Sequence, residues 1–243
     1  RHLNCLRVCF ENFSCVRYKT SNMPAGSKEE LDKLAGDYTT IANKYGEGLK
    51  GRVAIVTGSN TGLGYEVTRA LLACGLHVIV ATRNPEKGEN AVKDLKTKEE
   101  NHPEGKVEFL HLDLASLKSV RTFAEDFRKR NLPLHYLVNN ASAWMVPEAM
   151  SPTEDGFEYQ VASYVFGHLY LTELLKDKLI ENAPSRITWT TSASETLGTI
   201  NWDNLELTER TSNFATYGTS KMYGQMLARN YGEQLKGKKV RVY

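Results

Sequence analysis

Tyr217 and Lys221 are the two side chains of this sequence whose types and spacing are best suited to acid–base chemistry. They are four residues apart, so a helix would place them on one face, a turn from each other. A phenol with a reference pKa of about 10 transfers protons poorly at neutral pH, and a neighbouring ammonium lowers that pKa by stabilising the phenolate. Ser192, at the end of an apolar run, adds a hydroxyl that could bind the same substrate oxygen. Such a trio could pass a proton to or from an alcohol or carbonyl oxygen.

A glycine-rich segment, Thr57–Gly64 (TGSNTGLG), follows a short apolar run and opens a helical pattern. Gly58 allows a sharp turn, Gly62 lets a diphosphate approach the backbone, and Gly64 permits close packing of helix on strand. The helix N-terminus adds N–H groups and a partial positive charge for an anion. This strand–turn–helix context predicts a dinucleotide site rather than a simple turn. Its predicted cofactor-binding residues are Gly58, Ser59, Asn60, Thr61, Gly62, Leu63 and Gly64.

Further candidate cofactor contacts follow the next strands of the pattern. The second strand ends at Thr82-Arg83, where a site for NAD would place an acid on the ribose 2′-hydroxyl. The guanidinium of Arg83 suits a 2′-phosphate, so NADP(H) is favoured over NAD(H), with a solvated surface arginine as the alternative. Asp113 ends the third strand, where it would either lie near the adenine or cap the next helix. Asn140, after the fourth strand, is also predicted to bind the cofactor.

Strand and helix patterns alternate along the chain between these residues. The predicted strands are Val53–Val56, His77–Ala81, Val107–Leu112, Leu134–Val138, Arg186–Thr191 and Lys239–Tyr243. Two long helices are predicted at Gly156–Leu179 and Tyr217–Leu235. Strict alternation with short links implies a parallel sheet covered on both faces, with ligands at the carboxyl ends of its strands. The predicted fold is therefore a Rossmann-type α/β fold, a doubly wound sheet in three αβα layers.

Both ends of the sequence depart from this pattern. Residues 1–22 form a basic, Cys-rich stretch, and Met23 opens a segment typical of a protein start. We interpret residues 1–22 as translated upstream sequence that is not part of the native protein, with an organellar presequence as the alternative. Residues 1–48 are predicted to be an N-terminal extension and residues 49–243 the catalytic domain. Because an apolar alternation stops at Tyr243, we expect the C-terminal part of that domain to be missing.

The composition argues against several other classes of protein. Hydrophobic residues make up 41% and charged residues 25% of the chain, as in an ordinary globular domain. A formal net charge of +2 does not suggest nucleic-acid binding, and no apolar run approaches the roughly 20 residues of a transmembrane helix. The four cysteines have neither a disulfide framework nor metal-ligand spacing, so no metal is expected. The predicted location is cytoplasmic, or an organelle if residues 1–22 are a presequence.

Together these motifs resemble the short-chain dehydrogenase/reductase superfamily, over about residues 38–243. Three stretches are similar to the branch of the retinol dehydrogenases and the WW-domain-containing oxidoreductase: Val107–Ser116, Pro133–Ala141 and Gly167-His168. The resemblance implies NADP(H)-linked interconversion of an alcohol and a carbonyl, on a small apolar substrate such as a retinoid, steroid or polyprenoid. It also implies catalytic roles for Ser192, Tyr217 and Lys221, with the last two touching the cofactor.

Two positions depart from the family pattern. Ser142 follows Asn139-Asn140-Ala141 where similar proteins have glycine. Tyr164 stands three residues before Gly167, where similar proteins have an asparagine that helps to hold a water molecule in the proton relay. A tyrosine cannot reproduce the compact amide, so we expect an altered relay and slower turnover. The alternative is that Tyr164 packs in the core and another group holds the water.

Three functional hypotheses follow. The first is an active NADP(H)-dependent dehydrogenase/reductase, the second a dinucleotide-binding scaffold that has lost activity, and the third a related epimerase or dehydratase. Retention of Ser192, Tyr217 and Lys221 argues against the scaffold. The spacing of 25 positions from Ser192 to Tyr217 and the Asn139-Asn140-Ala141 turn favour the first hypothesis over the third. Trp144 and Met145, after the fourth strand, would either line an apolar substrate site or pack as ordinary core. A homodimer is left open.

Overall fold

Six parallel strands form one sheet in the part of the chain that the structure, a computed structural model, describes: residues 42–44, 46–98, 105–147, 150–208 and 212–243. The strands are β1 (Val53–Thr57), β2 (His77–Thr82), β3 (Lys106–His111), β4 (Tyr136–Asn139), β5 (Ser185–Trp189) and β6 (Val240–Val242). Their order is β3-β2-β1-β4-β5-β6. The strand order reverses between β1 and β4, which is where a doubly wound sheet leaves a crevice for its ligand.

Helices connect the strands in chain order. They are α1 (Gly62–Ala73), α2 (Pro85–Lys98), α3 (Leu117–Lys129), α4 (Tyr159–Val161), α5 (Gly167–Glu181) and α6 (Asn213–Gln234). A π-helical turn, Ala162–Phe166, joins α4 to α5, and a 3₁₀ helix, Ala193–Leu197, follows β5.

The sheet is buried on both faces, which explains the continuous apolar runs of its central strands. Side chains alternate across a strand, so Ile55 and Val56 of β1 enter different apolar clusters. Ile55 packs in the cluster that contains Phe123 of α3 and Leu171 of α5. Val56 packs in the cluster that contains Leu72 of α1 and Leu95 of α2, together with other strand residues. The predicted three-layer Rossmann-type fold is thus confirmed.

The predicted strands and the two predicted long helices are present, but their boundaries needed adjustment. All six predicted strands are present, with ends shifted by one or two residues. The helix predicted at Gly156–Leu179 begins at Tyr159 and is interrupted by the π-helical turn, in which Tyr164, Val165 and Phe166 are buried. The helix predicted to begin at Tyr217 begins at Asn213, since Ser212 accepts a capping bond from the Ala215 N–H.

Other sequence predictions fall partly or wholly outside these ranges. Of the predicted extension, residues 1–48, only residues 42–44 and 46–48 are described, and Ala42 is buried in the cluster that contains Val56. Within the described residues, no helix is long and apolar enough to cross a bilayer. The same residues contain no group of three or more side chains arranged to hold a metal ion.

Candidate active site

The glycine-rich segment forms a tight turn between β1 and α1. Gly58 and Gly62 have φ values of +64° and +59°, a left-handed conformation that favours glycine. A Cβ atom at Gly64 would lie 2.5 Å from the carbonyl oxygen of Gly58 and 2.6 Å from Nδ2 of Asn140. No side chain fits in that space, so α1 packs directly on the turn and on the loop after β4.

The N-terminus of α1 suits an anion. Thr61, the residue before the helix, has extended backbone and makes no side-chain capping bond, and no acid lies in the first turn. The first N–H groups are thus not taken by a cap, and the helix dipole favours negative charge there. The diphosphate of a dinucleotide is the group that this turn and helix end would hold, so the residues present fit the expected cofactor.

Side chains of the turn hold its own conformation. The Ser59 hydroxyl is buried and donates to the Val56 carbonyl at 2.6 Å, while the Asn60 side-chain oxygen accepts from the Thr82 hydroxyl at 2.8 Å. Leu63 leaves 71% of its side chain exposed. The Ser59 hydroxyl and the Asn60 side-chain oxygen are thus engaged in bonds within the protein, whereas Leu63 faces solvent.

Arg83 and Asp113 both lie close enough to Tyr159 to influence its titration. Arg83 is exposed, and its guanidinium donates to the Tyr159 hydroxyl. Burial raises the pKa of Tyr159, Arg83 opposes that shift, and Asp113 adds to it. Asp113 also accepts a hydrogen bond from the Ala115 N–H at 2.9 Å, which closes a turn before α3. The N-cap of α3 is Ser116, so Asp113 does not have the capping role that was its alternative.

Thr57 connects the glycine turn to the loop after β4. Its hydroxyl oxygen accepts from the N–H groups of Asn140 and Ala141, each at 2.9 Å. The Asn140 side chain donates in turn to the Thr57 carbonyl at 2.9 Å. Asn140 therefore anchors this loop beside the predicted cofactor site.

His168 continues this network into the interior. Its Nδ1 lies 2.8 Å from the carbonyl oxygen of Tyr164, which can only accept, so Nδ1 carries the hydrogen. Nε2 is then the acceptor for the Thr57 hydroxyl, at 2.8 Å. Burial lowers the pKa of His168 to about 3, so the ring is neutral at physiological pH. His168 is completely buried, so it is part of the packed interior.

Lys221 is buried one helical turn after Tyr217, on the same helix α6. Only 2% of the residue is exposed, and its Nζ donates to the Thr190 carbonyl at 2.8 Å. Nζ lies 5.4 Å from the centre of the Tyr217 ring and 3.6 Å from the centre of the Tyr164 ring. Burial lowers the pKa of Lys221 to about 7, so the amine changes its charge near neutral pH.

Tyr164 packs in the core, which was the alternative to an altered relay. It is fully buried, and its hydroxyl donates to the Thr190 carbonyl at 2.8 Å. Burial raises the pKa of this phenol well above its ordinary value. Tyr164 is therefore a neutral hydrogen-bond donor beside Lys221.

Ser192 lies at the start of the 3₁₀ helix, which packs closely on α6. Its hydroxyl oxygen accepts from the Ser194 N–H at 3.2 Å and so caps that helix. A Cβ atom at Gly218, the residue after Tyr217, would lie 2.7 Å from the Ser194 carbonyl oxygen. Glycine at this position thus brings the segment that carries Ser192 against the helix that carries Tyr217.

An aromatic cluster lies beside Tyr217. The Trp144 and Tyr217 rings meet edge to face with centres 4.6 Å apart, and Phe214 meets Trp144 at 5.7 Å. Trp144, Met145 and Phe214 expose 49%, 60% and 50% of their surface, so the interpretation of Trp144 and Met145 as ordinary core was wrong. Their exposure leaves an apolar surface next to the predicted catalytic phenol.

Sequence reasoning missed the roles of Thr190 and Gly218. It also missed Gly224, where an added Cβ would lie 2.5 Å from Cε1 of Tyr164. Thr190 contributes its backbone carbonyl, which has no side-chain signature. Helix α6 contains three glycines, Gly218, Gly224 and Gly232, although glycine inside a helix is unfavourable by about 1 kcal/mol relative to alanine. Such glycines hint at close packing, which the structure has at Gly218 and Gly224 but not at Gly232. That signal was available in the sequence.

Comparison with known proteins agrees with this geometry. The family model for short chain dehydrogenases matches residues 52–243. Polyprenol dehydrogenase from Danio rerio is 42% identical over 189 residues, which is 76% of this chain and 57% of that protein. Retinol dehydrogenase 11 from Mus musculus is 40% identical over 195 residues, which is 80% of this chain and 60% of that protein.

A solved structure of an uncharacterised protein from Mycobacterium paratuberculosis has a TM-score of 0.68 and 32% identity, covering 81% of this chain and 69% of that one. The chain spans about three fifths of the length of the two curated relatives. The family match extends over most of the chain and includes both the glycine turn and the Tyr217–Lys221 pair. The chain therefore belongs to the short chain dehydrogenase family, in the branch that resembles the retinol dehydrogenases.

Proposed function

We propose that this chain carries the cofactor site and the proton-transfer site of an NADP(H)-dependent oxidoreductase that interconverts an alcohol and a carbonyl. The observation that supports this most strongly is the position of Lys221. A buried ammonium held on the Thr190 carbonyl, one turn from Tyr217, is the arrangement that acid–base work by a phenol requires. Burial of a lysine side chain destabilises the folded protein, so its presence here is best explained by a role in such a site.

In the reducing direction, Tyr217 donates its hydroxyl proton to the substrate oxygen, and Ser192 donates a hydrogen bond to the same oxygen. When bound, the nicotinamide supplies the hydride for the carbon. Lys221 in its charged form stabilises the phenolate that Tyr217 becomes, and so lowers the barrier to proton release. In the oxidising direction the Tyr217 phenolate accepts the proton of the alcohol instead.

Arg83 supports the choice of NADP(H). Its guanidinium is exposed at the end of β2, and the preceding residue, Thr82, carries no charge that would repel a phosphate. Planar bidentate donors suit phosphate oxygens, so Arg83 would bind the 2′-phosphate that distinguishes NADP(H) from NAD(H). Asp113 and Asn140 would complete the site on the adenine and ribose side.

The substrate is proposed to be apolar. Trp144, Met145 and Phe214 leave about half or more of their surface exposed around Tyr217, and apolar surface of this kind suits a hydrocarbon ligand. The names of the similar proteins, polyprenol dehydrogenase and retinol dehydrogenase 11, agree with such a substrate.

The test is substitution of Tyr217 by phenylalanine in the complete protein, with retinal or another apolar aldehyde as the probe. The change removes only the hydroxyl, so NADPH binding should survive while turnover falls by roughly 10²–10⁴-fold. NADPH binding is followed by fluorescence titration and turnover by NADPH oxidation. If Tyr217→Phe kept most of the reductase activity of the parent, the proposed mechanism would be wrong.

A further inference from the structure

Tyr164 and Lys221 share one acceptor. The Tyr164 hydroxyl and the Lys221 Nζ each donate to the Thr190 carbonyl oxygen at 2.8 Å. A carbonyl oxygen has two lone pairs, so these two bonds use both of them. Thr190 O therefore has no lone pair left for a water molecule beside Lys221.

The ring of Tyr164 also covers Lys221 directly. Nζ lies 3.6 Å from the ring centre, which is within the range of a cation–π interaction and is favourable for a desolvated ammonium. A water molecule between Nζ and the ring would need about 2.8 Å to Nζ and a further contact of similar length to the ring. The distance of 3.6 Å is too short for both contacts, so no water molecule fits between Nζ and the ring. The ring takes the space that a small side chain would leave to solvent.

The surrounding chain is shaped for this aromatic side chain. A Cβ atom at Gly224 of α6 would lie 2.5 Å from Cε1 and 2.7 Å from the hydroxyl oxygen of Tyr164. The π-helical turn contains Tyr164, and the His168 Nδ1–H binds the Tyr164 carbonyl at 2.8 Å. Trp189 meets the Tyr164 ring edge to face at 6.2 Å. Tyr164 is thus held from three sides.

We infer that Tyr164 is a positioning residue for Lys221, whose ammonium it holds against the Thr190 carbonyl through the face of its ring, in place of a water molecule. This inference rests on the proposed function for the importance of Lys221, but the contact itself can be tested without substrate or cofactor. The titratable groups around the ammonium are Tyr164, Tyr217 and His168, and Glu195 is close enough to influence the pKa of Tyr164. Tyr164 is the one whose ring face lies against Nζ at 3.6 Å.

The experiment measures the pKa of Lys221 in the 243-residue chain, by NMR titration of ¹³C-labelled lysine with Lys221→Arg to assign the resonance. Tyr164→Phe keeps the ring, so the pKa of Lys221 should stay within about half a unit of the parent. Tyr164→Leu removes the ring and keeps the site apolar, so that pKa should fall by about one unit. A pKa that is unchanged or raised in Tyr164→Leu would overturn the inference.

Tyr164→Asn provides a second test in case the leucine variant does not fold. A small amide admits water, so the pKa of Lys221 should rise towards its ordinary value, whereas equal pKa values in Tyr164→Phe, Tyr164→Asn and the parent would overturn the inference. Gly224→Ala should unfold the parent at a lower temperature yet be tolerated in the Tyr164→Asn background, because the asparagine leaves space for the added methyl group. Failure of the proposed function can be told apart from failure of this inference. In that case Tyr217→Phe would keep full activity while the pKa changes of the Tyr164 variants were still observed.

Discussion

Thr57 and His168 are joined by a hydrogen bond of 2.8 Å between Oγ1 and Nε2, and this bond connects the glycine turn to helix α5. The same hydroxyl holds the loop after β4 through the N–H groups of Asn140 and Ala141. Because His168 must accept at Nε2 and donate at Nδ1, only its neutral form fits. Protonation of one buried ring therefore disturbs the framework of the cofactor site.

Acid should destabilise the protein through His168. Its pKa is about 3 in the folded state and ordinarily 6.5, so between these values the unfolded state binds the extra proton. The free energy of unfolding should thus fall as the pH drops from about 6.5 towards 3, by on the order of 1.4 kcal/mol per pH unit. Denaturant unfolding at several pH values should show a weaker fall for His168→Gln. The exposed His111 provides the control, and His111→Gln with the same flattened profile would contradict this assignment.

Gly64 should not tolerate even alanine. The added Cβ would lie within 2.6 Å of both the Gly58 carbonyl and Asn140 Nδ2, so the turn or the loop must move. We expect Gly64→Ala to lower the melting temperature and to weaken NADPH binding at least tenfold. Gly232 is a matched control on α6, where an added Cβ meets no atom within 4 Å. Gly232→Ala should stabilise the protein by about 0.5–1 kcal/mol. Equal effects of the two changes would refute the packing argument.

Loss of Arg83 should change the choice of cofactor. Arg83→Ala removes a charge-assisted contact to the 2′-phosphate, which should weaken NADPH binding by roughly 1.5–3 kcal/mol and leave NADH binding nearly unchanged. Fluorescence titration with both cofactors measures this difference. Lys87→Ala removes another exposed positive charge nearby and should not alter the ratio of the two affinities. Equal affinities of the parent for NADPH and NADH would rule out the assignment.

Lys221 should reduce stability while it serves the site. The pKa of Lys221 is about 7 in the folded state and ordinarily 10.5. At neutral pH this difference lowers the free energy of unfolding by on the order of 1.4 kcal/mol per pKa unit. Lys221→Met should therefore unfold at a higher temperature than the parent at pH 7. The advantage should be constant below about pH 7 and shrink as the pH rises towards 10.5, where both states of the parent are neutral. A methionine variant that is less stable at pH 7 would show that the ammonium is favourably solvated.

The positions of the main chemical groups could be predicted from the sequence because they follow strand ends. The glycine turn and the Tyr217–Lys221 pair lie at or after carboxyl ends of parallel strands, and the topology brings those ends together. The environment of Tyr164 could not be predicted in the same way. It depends on a π-helical turn, a backbone carbonyl at Thr190 and the missing side chain of Gly224, none of which has a local periodic pattern.

Trp144 gives this site an optical property. Of the three tryptophans, Trp189 is buried and Trp202 belongs to a surface turn, whereas Trp144 lies against Tyr217 with half of its surface exposed. Indole emission overlaps the absorption band of reduced nicotinamide, so energy transfer from Trp144 would quench its fluorescence when the dinucleotide is seated beside the phenol. If the dinucleotide binds at the proposed site, tryptophan fluorescence, to which Trp189 beside Tyr164 would also contribute, would report its occupancy without an attached dye.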